Sequence, residues 1–146
     1  MIYLGADHRG YELKEKAKQW LAELGYQYED CGAFAYNKDD DYPDFATAVA
    51  QKVSAEAGNR GILFCGSGIG VAVAANKIKG IRAGTAAGPK QIKSAINDED
   101  LNIVAISTDH TDENTVKEII KTFLETKFSE EERHVRRINK IKQLEQ

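Results

Sequence analysis

The feature that most constrains this chain is a stretch in which a short apolar run meets three closely spaced glycines. Residues 62–64 are Ile-Leu-Phe, without polar alternation, as in a strand that is buried on both faces. Gly66, Gly68 and Gly70 then end the strand, because glycine permits backbone conformations that other residues avoid. The alanine-rich residues 71–77 favour a helix. The stretch therefore predicts a strand, a glycine loop and a helix.

The predicted glycine loop would turn backbone N–H groups toward one point, and the start of the helix adds a partial positive charge. Such a place binds a phosphate, or an oxyanion that forms during a reaction. Cys65 lies at the carboxyl end of the strand, where a thiol is expected to be reactive. Two alternatives stay open here, since such loops also occur without a ligand and most strand cysteines are only core residues. The spacing fits neither the dinucleotide fingerprint nor the P-loop.

The composition restricts the class of protein. The 146 residues are expected to form one domain over residues 1–146. The net charge of −3 argues against a general nucleic-acid binder, which would need a basic surface. No apolar run is long enough to cross a membrane, and the first residues read as a strand rather than a signal peptide. Cys31 and Cys65 are expected to be reduced thiols in a cytoplasmic protein.

Apolar runs and helical periodicities alternate along the whole chain, which predicts a doubly wound α/β sandwich with a tail helix. Five parallel strands are expected at residues 2–6, 26–31, 62–64, 81–86 and 101–106. Helices are expected at residues 11–24, 42–58, 89–97 and 111–126, besides the one after the glycine loop and a last one from about Ser129. With five strands, the flavodoxin-like strand order is expected.

Polar residues follow the first strand. Asp7 and His8 come at its carboxyl end, where ligands bind in open α/β sheets. The alternatives are that Asp7 only caps the next helix and that His8 is a solvated loop residue. The three acids at 39–41 are expected to be solvated, and residues 97–100 are expected to form an acidic turn.

The tail predicts an amphipathic helix. Ser129 and Glu132 have the spacing of a capping box. Arg133 and Arg137 are four residues apart and share one helix face, where they could simply pair with nearby acids. A narrow apolar stripe needs a partner, and it is formed by Val135, Ile138, Ile141 and Leu144.

Short motifs along the chain point to one family. The central motif is Cys-Gly-Ser-Gly-Ile-Gly at residues 65–70, followed by Ala-Ala-Asn-Lys at 74–77 and Gly-Ile-Arg-Ala at 80–83. The other motifs are Gly-Ala-Asp-His-Arg-Gly at residues 5–10, Asp-Tyr-Pro at 41–43, and Arg133-His134 with Arg137. Together they resemble the ribose-5-phosphate isomerase type B family, which includes the galactose-6-phosphate isomerase subunits. The resemblance covers essentially the whole chain in order.

The resemblance implies an aldose–ketose isomerase that uses no metal or other cofactor. It implies a homodimer or a tetramer, with sites at the subunit interface. Cys65 matches the base that takes the proton from carbon 2 of a sugar phosphate. The loop that holds the enediolate matches Gly66, Ser67, Gly68, Ile69 and Gly70, with Ser67 also counted as catalytic. Further substrate-binding positions match Asp7, His8 and Tyr42, and the phosphate-binding arginines match Arg133 and Arg137.

Two departures from the family concern the substrate. Members usually have a histidine before the fifth strand, assigned to opening the sugar ring, followed by an asparagine. An ungapped comparison puts Asp98 and Glu99 at these positions, whereas a gapped one puts Ile96 at the histidine. Asp109 stands where many members carry a phosphate-binding arginine. An acid near a phosphate would repel it.

Ring opening therefore needs another explanation in this chain. Asp98 is the first candidate, because a carboxylate can move a proton between the ring oxygen and the anomeric hydroxyl. His8 and His110 are alternatives, since both are expected at strand ends on the active face. Glu99 is expected to contact the substrate. A remaining alternative is that the enzyme selects the open sugar that forms slowly in water.

The sequence thus predicts an isomerase that converts ribose 5-phosphate to ribulose 5-phosphate through an enediolate. One alternative is isomerisation of a different sugar or sugar phosphate, as in the galactose-6-phosphate type. Another is a catalytically weak subunit that only binds sugar phosphate. The intact glycine loop with Cys65 argues against the inactive alternative.

Overall fold

A parallel five-stranded sheet organises residues 1–145, the part of the chain that the computed structural model describes. The strands are β1 (Ile2–Ala6), β2 (Tyr28–Asp30), β3 (Arg60–Cys65), β4 (Ala83–Thr85) and β5 (Ile103–Ser107). The helices are α1 (Tyr11–Glu23), α2 (Tyr42–Ala55), α3 (Ile69–Ala75), α4 (Pro89–Glu99), α5 (Glu113–Glu125) and α6 (Glu132–Leu144). The predicted α/β architecture with its tail helix is confirmed.

The strand order is β2-β1-β3-β5-β4. It differs from the flavodoxin-like order in its last two strands, because β5 rather than β4 lies beside β3. Every residue of β5 is buried, whereas the Ala-Gly-Thr segment of β4 is only half-buried. An apolar strand with both faces covered takes the inner position, and the short one forms the edge. Both edge strands, β2 and β4, have three residues and are shorter than expected.

Two apolar layers cover the sheet. Alternate side chains of β3 point to opposite faces, as the pleat requires. Ile62 and Phe64 pack in the layer formed with α1, α4 and α5. Leu63 and Cys65 pack in the layer formed with α2 and α3. The reactive thiol predicted from the sequence therefore points toward the α2–α3 side of the sheet.

Several helix ends differ from the sequence predictions, since α2 ends at Ala55 and α5 begins at Glu113, and two further differences involve the acidic turn and the capping box. Residues 97–99 form the last turn of α4 rather than an acidic turn, and Asp100 ends the helix in the left-handed conformation. The capping box at Ser129 and Glu132 does not form, since α6 begins at Glu132 with Glu131 before it. The Ser129 hydroxyl instead accepts the Glu131 N–H at 3.2 Å and lies 2.7 Å from His134 Nδ1.

A buried lysine joins α1 to the segment after β2. The side chain of Lys14 is fully buried, and its Nζ donates to both oxygens of Asp30 at 2.7 Å and to the Ala33 carbonyl at 2.7 Å. Burial alone would raise the pKa of Asp30, but hydrogen bonds from Lys14 and the Gly32 amide lower it below its usual value. These contacts fix the start of the loop over residues 31–41.

Over residues 1–145, no helix has both the length and the apolar character that crossing a bilayer requires.

Candidate active site

The carboxyl ends of three neighbouring strands meet at one edge of the sheet. The parallel register pairs Ala6 of β1 with Phe64 of β3, and Cys65 of β3 with Ser107 of β5. The chain therefore leaves β1 at Asp7 beside the point where Cys65 leads into the glycine loop. This arrangement brings together residues that are about 60 and 100 positions apart in the sequence.

Cys65 is 4% exposed and lies at the base of this edge. Its Sγ accepts the N–H of Gly68 at 3.2 Å, so the glycine loop folds back over the thiol. Cys65 also packs against the apolar layer under α2 and α3. The thiol thus has an apolar side and a side that faces the Gly68 amide.

Hydroxyl groups from β4 and β5 hold the glycine loop. Ser107 Oγ donates to the Gly66 carbonyl at 2.8 Å, and Thr85 Oγ1 donates to the Gly68 carbonyl at 3.0 Å. Gly68 has a φ of 73°. A side-chain carbon at this position would lie 2.8 Å from the Ser107 nitrogen, so both conformation and space require glycine. The hydroxyls draw the two carbonyls toward β4 and β5.

Asp7 stabilises the turn after β1. Its side chain is buried, and Oδ1 accepts the N–H groups of Arg9 at 3.0 Å and Gly10 at 3.1 Å. The residue before α1 is Gly10 rather than Asp7, so Asp7 caps the turn and not the helix itself. This turn fixes where the next residue, His8, leaves the sheet.

Asp40 contacts His8, in contrast to the prediction that the acids at 39–41 are all solvated. The Asp40 side chain is 8% exposed, and its Oδ1 lies 2.7 Å from His8 Nδ1 and accepts the His8 N–H at 2.9 Å. Asp39 and Asp41 are exposed, as predicted. Asp40 differs because the loop over residues 31–41 folds back onto β1, and no local pattern in a run of three acids marks this contact.

Arg9 forms an ion pair with Asp109. The guanidinium also packs against the glycine loop, because a side-chain carbon on Gly66 would lie 2.6 Å from Arg9 Nε. Thr108 Oγ1 donates to the Arg9 carbonyl at 3.1 Å. Arg9 was not among the predicted site residues, although it lies inside the motif at residues 5–10. The acid expected to repel a phosphate is thus neutralised by a neighbouring cation.

The rim of this edge carries several other predicted site residues. Ser67 and Ile69 are exposed, and the Ile69 N–H donates to Ser67 Oγ at 3.2 Å. The ring of Tyr42, the first residue of α2, packs against Gly70, where a side-chain carbon would lie 2.9 Å from the ring. His110 is exposed, and its N–H donates to Ser107 Oγ at 3.2 Å.

Asp98 belongs to a second cluster, formed by the end of α4 and the start of α6. Asp98 Oδ1 accepts from Asn97 Nδ2 at 2.8 Å and lies 3.5 Å from His134 Nε2. His134 is 4% exposed, with Ser129 Oγ at 2.7 Å from its other ring nitrogen. Arg133 is exposed and pairs with Glu131 at 2.9 Å. Glu99 and Arg137 are exposed on the same two helices.

The two clusters lie at opposite ends of the sheet. Asp98 precedes the amino end of β5, whereas Cys65 is level with its carboxyl end. Five residues of strand separate these ends by roughly 16 Å. Within one chain, the structure brings Cys65 together with Asp7, His8, Tyr42 and the glycine loop, but it does not bring Asp98, Glu99, Arg133 or Arg137 to them.

One group of side chains has the composition of a metal site. The ligand atoms of Asp7, His8 and Asp40 all lie within 4.8 Å of one another. His8 Nδ1 already faces Asp40 Oδ1 at hydrogen-bond distance, and Asp7 Oδ1 already accepts two backbone amides. These three side chains therefore act as a hydrogen-bonded group in this structure.

Comparisons with known proteins agree on one family. Residues 2–141 match the family model described as Ribose/Galactose Isomerase. The chain is 38% identical over 144 residues to ribose-5-phosphate isomerase B of Mycobacterium leprae, covering 99% of this chain and 89% of that protein.

Two solved structures show the same fold. Ribose-5-phosphate isomerase B of Mycoplasma genitalium with bound ribulose-5-phosphate has a TM-score of 0.94 at 35% identity, covering 99% of this chain and 95% of that one. The Clostridium thermocellum enzyme also has a TM-score of 0.94 at 35% identity, covering 99% and 96%.

Proposed function

The chain belongs to the ribose/galactose isomerase family, and we propose that it interconverts ribose 5-phosphate and ribulose 5-phosphate. The observation that carries this proposal is the Cys65 thiol under the glycine loop, 3.2 Å from the Gly68 nitrogen. The relatives that it resembles are isomerases named for this aldose phosphate, and one of them is described with bound ribulose-5-phosphate.

In the proposed mechanism, Cys65 acts as the base. Its thiolate takes the proton from carbon 2 of the open aldose phosphate, and the electron pair of that bond forms the enediolate as the carbonyl oxygen gains negative charge. The proton of the carbon 2 hydroxyl then moves to the oxygen on carbon 1, and return of the first proton from Cys65 to carbon 1 gives the ketose with its carbonyl at carbon 2. A thiolate within reach of the carbon-bound proton is a competent base.

The glycine loop is proposed to hold the enediolate. Backbone amides stabilise a developing oxyanion best when they are fixed before the reaction and shielded from water. The hydroxyl contacts from Ser107 and Thr85 support this role, because they hold the carbonyls of Gly66 and Gly68 and so fix the orientation of the loop. Ser67 on the rim is proposed to contact the substrate oxygens.

The phosphate is proposed to bind where two copies of the chain meet. Arg133 and Arg137 supply forked donors that suit a phosphate, but they lie at the far end of the sheet from Cys65 of the same chain. A homodimer would bring them to the neighbouring site. Exposed apolar side chains at both ends support this arrangement; they are Phe34, Tyr36, Ile69 and Val73 near the Cys65 site, and Val135, Ile141 and Leu144 on α6. Assembly of two dimers into a tetramer is compatible with it.

A second candidate substrate is a different sugar phosphate, as the family description includes galactose. The observation that favours it is that neither Asp98 nor Ile96, the two residues that can match the histidine before the fifth strand, is a histidine. A catalytically weak binding subunit is the third candidate. One assay of the purified protein against several aldose phosphates distinguishes these candidates, since each predicts a different active substrate or none.

The role of Cys65 is tested with Cys65→Ala. We expect the variant to stay folded and to bind ribose 5-phosphate, while exchange of the carbon 2 proton with deuterated water falls at least about 100-fold. Cys31→Ala is the matched control and should keep wild-type exchange. Wild-type exchange in Cys65→Ala would exclude Cys65 as the base.

Thiol alkylation gives an independent measurement. Burial, together with the nearby Glu29 carboxylate, raises the pKa of the Cys31 thiol to about 11, so little thiolate forms there at pH 8. Inactivation by iodoacetamide at pH 8 should therefore report on Cys65, and ribulose 5-phosphate should slow it. Inactivation that tracks labelling of Cys31 instead would contradict the proposal.

A further inference from the structure

Asp40 is a buried carboxylate that the proposed mechanism does not yet use. One oxygen, Oδ1, lies 2.7 Å from His8 Nδ1 and accepts the His8 backbone N–H at 2.9 Å. The other oxygen, Oδ2, is buried and has no hydrogen-bond partner among residues 1–145. A buried carboxylate oxygen without a hydrogen-bond partner costs free energy of folding. Such an oxygen therefore suggests that the carboxylate has a functional role. Both hydrogen bonds of the Asp40 side chain are to His8.

The contact with Asp40 determines which nitrogen of His8 carries the proton. A carboxylate can only accept hydrogen bonds, so the Nδ1 atom that faces it must be the donor. The neutral imidazole then has its free lone pair on Nε2, on the opposite side of the ring. Among residues 1–145, no group forms a hydrogen bond with His8 Nε2, and the side chain is about one quarter exposed. This nitrogen is free to accept a proton from a bound molecule.

His8 lies beside the proposed reaction site of the same chain. It comes two residues after Ala6, whose partner across the sheet is Phe64, the residue before Cys65. The next residue, Arg9, packs against Gly66 of the glycine loop. Asp7 fixes the turn that carries His8. A sugar held under the glycine loop would therefore meet the His8 ring at the same edge.

We propose that His8, with Asp40 behind it, opens the sugar ring. This inference rests on the proposed isomerase function. His8 Nε2 takes the proton of the anomeric hydroxyl, and the electrons of that O–H bond form the carbonyl at carbon 1. The bond from carbon 1 to the ring oxygen breaks, and the ring oxygen receives a proton from Nε2. Asp40 stabilises the imidazolium that exists between the two transfers, as the buried acid does in a catalytic triad.

The other candidates for this role are less well placed. Asp98 is about the length of β5 away from Cys65 in its own chain and would act only on the site of a second copy. It is also engaged by Asn97 and lies near His134. His110 is exposed, and no side-chain contact in residues 1–145 fixes its ring. His8 has a buried carboxylate partner at the same edge of the sheet as Cys65, whereas Asp98 lies at the opposite end and the His110 ring has no such partner in residues 1–145.

The experiment compares a substrate that must open with one that is always open. Ribose 5-phosphate closes a five-membered ring through its 4-hydroxyl. Ribulose 5-phosphate cannot close one, because its 5-oxygen carries the phosphate. Conversion of ribose 5-phosphate is measured at an enzyme concentration at which the wild-type rate exceeds the rate of spontaneous ring opening. Deuterium exchange at carbon 1 of ribulose 5-phosphate is measured in parallel.

Two variants remove the function with little change of shape. His8→Asn keeps a donor near Nδ1 for Asp40 but lacks Nε2, and we expect conversion of ribose 5-phosphate to fall about 100-fold. Asp40→Asn keeps the acceptor Oδ1 but removes the charge that stabilises the imidazolium, and conversion should fall about tenfold. Exchange at carbon 1 of ribulose 5-phosphate should stay within about threefold of wild type in both. The exposed neighbour gives the control, since Asp39→Asn should change neither reaction.

Three results would overturn the role of His8 and Asp40. These are equal losses on both substrates, no loss on either, or a selective loss on ribose 5-phosphate in Asp98→Asn while the His8 variant stays at wild type. A wild-type protein that neither converts ribose 5-phosphate nor exchanges ribulose 5-phosphate would instead overturn the proposed isomerase function itself. Melting curves of each variant show whether a loss on both substrates comes from unfolding.

Discussion

Arg9 forms an ion pair with Asp109, the acid that stands where the family resemblance expects a phosphate-binding arginine, and so neutralises its charge. Both side chains are more than one third exposed, so the pair adds little to stability. Its position against Gly66 places it beside the loop that is proposed to hold the reacting sugar. We therefore expect its effect on substrate binding to exceed its effect on folding.

Removal of Arg9 should expose the charge of Asp109. In Arg9→Ala, the unpaired carboxylate repels the phosphate, and KM for ribose 5-phosphate should rise about fivefold to tenfold with a smaller change in kcat. The double variant Arg9→Ala/Asp109→Ala should recover most of this loss, because the repelling charge is gone. Steady-state kinetics of the two single variants and the double variant measure the coupling. Purely additive effects would show that the pair does not act on the substrate.

Asp40 shows why single residues are the hardest features to predict from this sequence. Asp39, Asp40 and Asp41 are the same residue type in one polar loop, and only the fold of that loop onto β1 buries the middle one. The position of Cys65 at the end of a buried strand was predictable, because an apolar run and a glycine loop flank it directly. Contacts between residues more than 30 positions apart leave no local pattern, so sequence reasoning missed the contact between His8 and Asp40.

The glycine loop after β3 is the element whose conformation the site depends on most. Gly68 combines a φ of 73° with close backbone neighbours, because a side-chain carbon there would lie 2.8 Å from the Ser107 nitrogen and 3.0 Å from the Ile106 carbonyl carbon. Gly58 has a φ of 91° but nothing within 4 Å of such a carbon. Gly68 thus carries both constraints, whereas Gly58 carries backbone strain alone.

Alanine substitutions at Gly58 and Gly68 distinguish the effect of backbone strain from the effect of steric crowding. Gly58→Ala should destabilise the protein by about 1–2 kcal/mol, since only the backbone conformation is unfavourable, and activity should remain. Gly68→Ala should lower the melting temperature further, because the backbone of β5 cannot easily move away, and the exchange reaction should be lost. Thermal melting and proton exchange on both variants check this. Equal destabilisation by Gly58→Ala and Gly68→Ala would mean that the glycine loop shifts to accommodate the added carbon at residue 68.

Most elements were predictable because their ends carry local signals. The glycines and prolines at the ends of α1, α2 and α4 gave boundaries close to the observed ones. The predicted start of α6 at about Ser129 was wrong, because the Ser129 hydroxyl contacts His134 five residues later instead of capping the helix. The predicted order of β4 and β5 in the sheet was also wrong, since the order depends on which strand has both faces covered by helices.

At the scale of the whole molecule, the sheet keeps two sets of predicted site residues apart. Cys65, His8 and the glycine loop lie at the carboxyl end of the strands, and Asp98, Arg133 and Arg137 lie near the amino end of β5. Ile138 of α6 is buried within the chain, but Leu144 is 84% exposed, so the apolar stripe of the tail is only partly covered. A second copy would both cover it and complete the proposed site.

Subunit mixing tests whether the site is shared. Cys65→Ala and Arg133→Ala/Arg137→Ala should each be nearly inactive alone. When they are unfolded together in equal amounts and refolded, half of the dimers are mixed, and each mixed dimer has one intact site. We expect activity to return to about one quarter of wild type, with light scattering giving the size of a dimer or tetramer. A stable, active monomer, or mixtures that stay inactive, would contradict the shared site.

The exposed apolar side chains on α6 also determine how the protein should respond to dilution. A pair of chains, rather than one chain, would be the catalytic unit. Below the dissociation constant of that pair, the rate should rise with the square of the protein concentration, and each chain would carry a complete thiol site that lacks its phosphate-binding arginines. Abundance in the cell would then regulate turnover per chain, without any effector or modification.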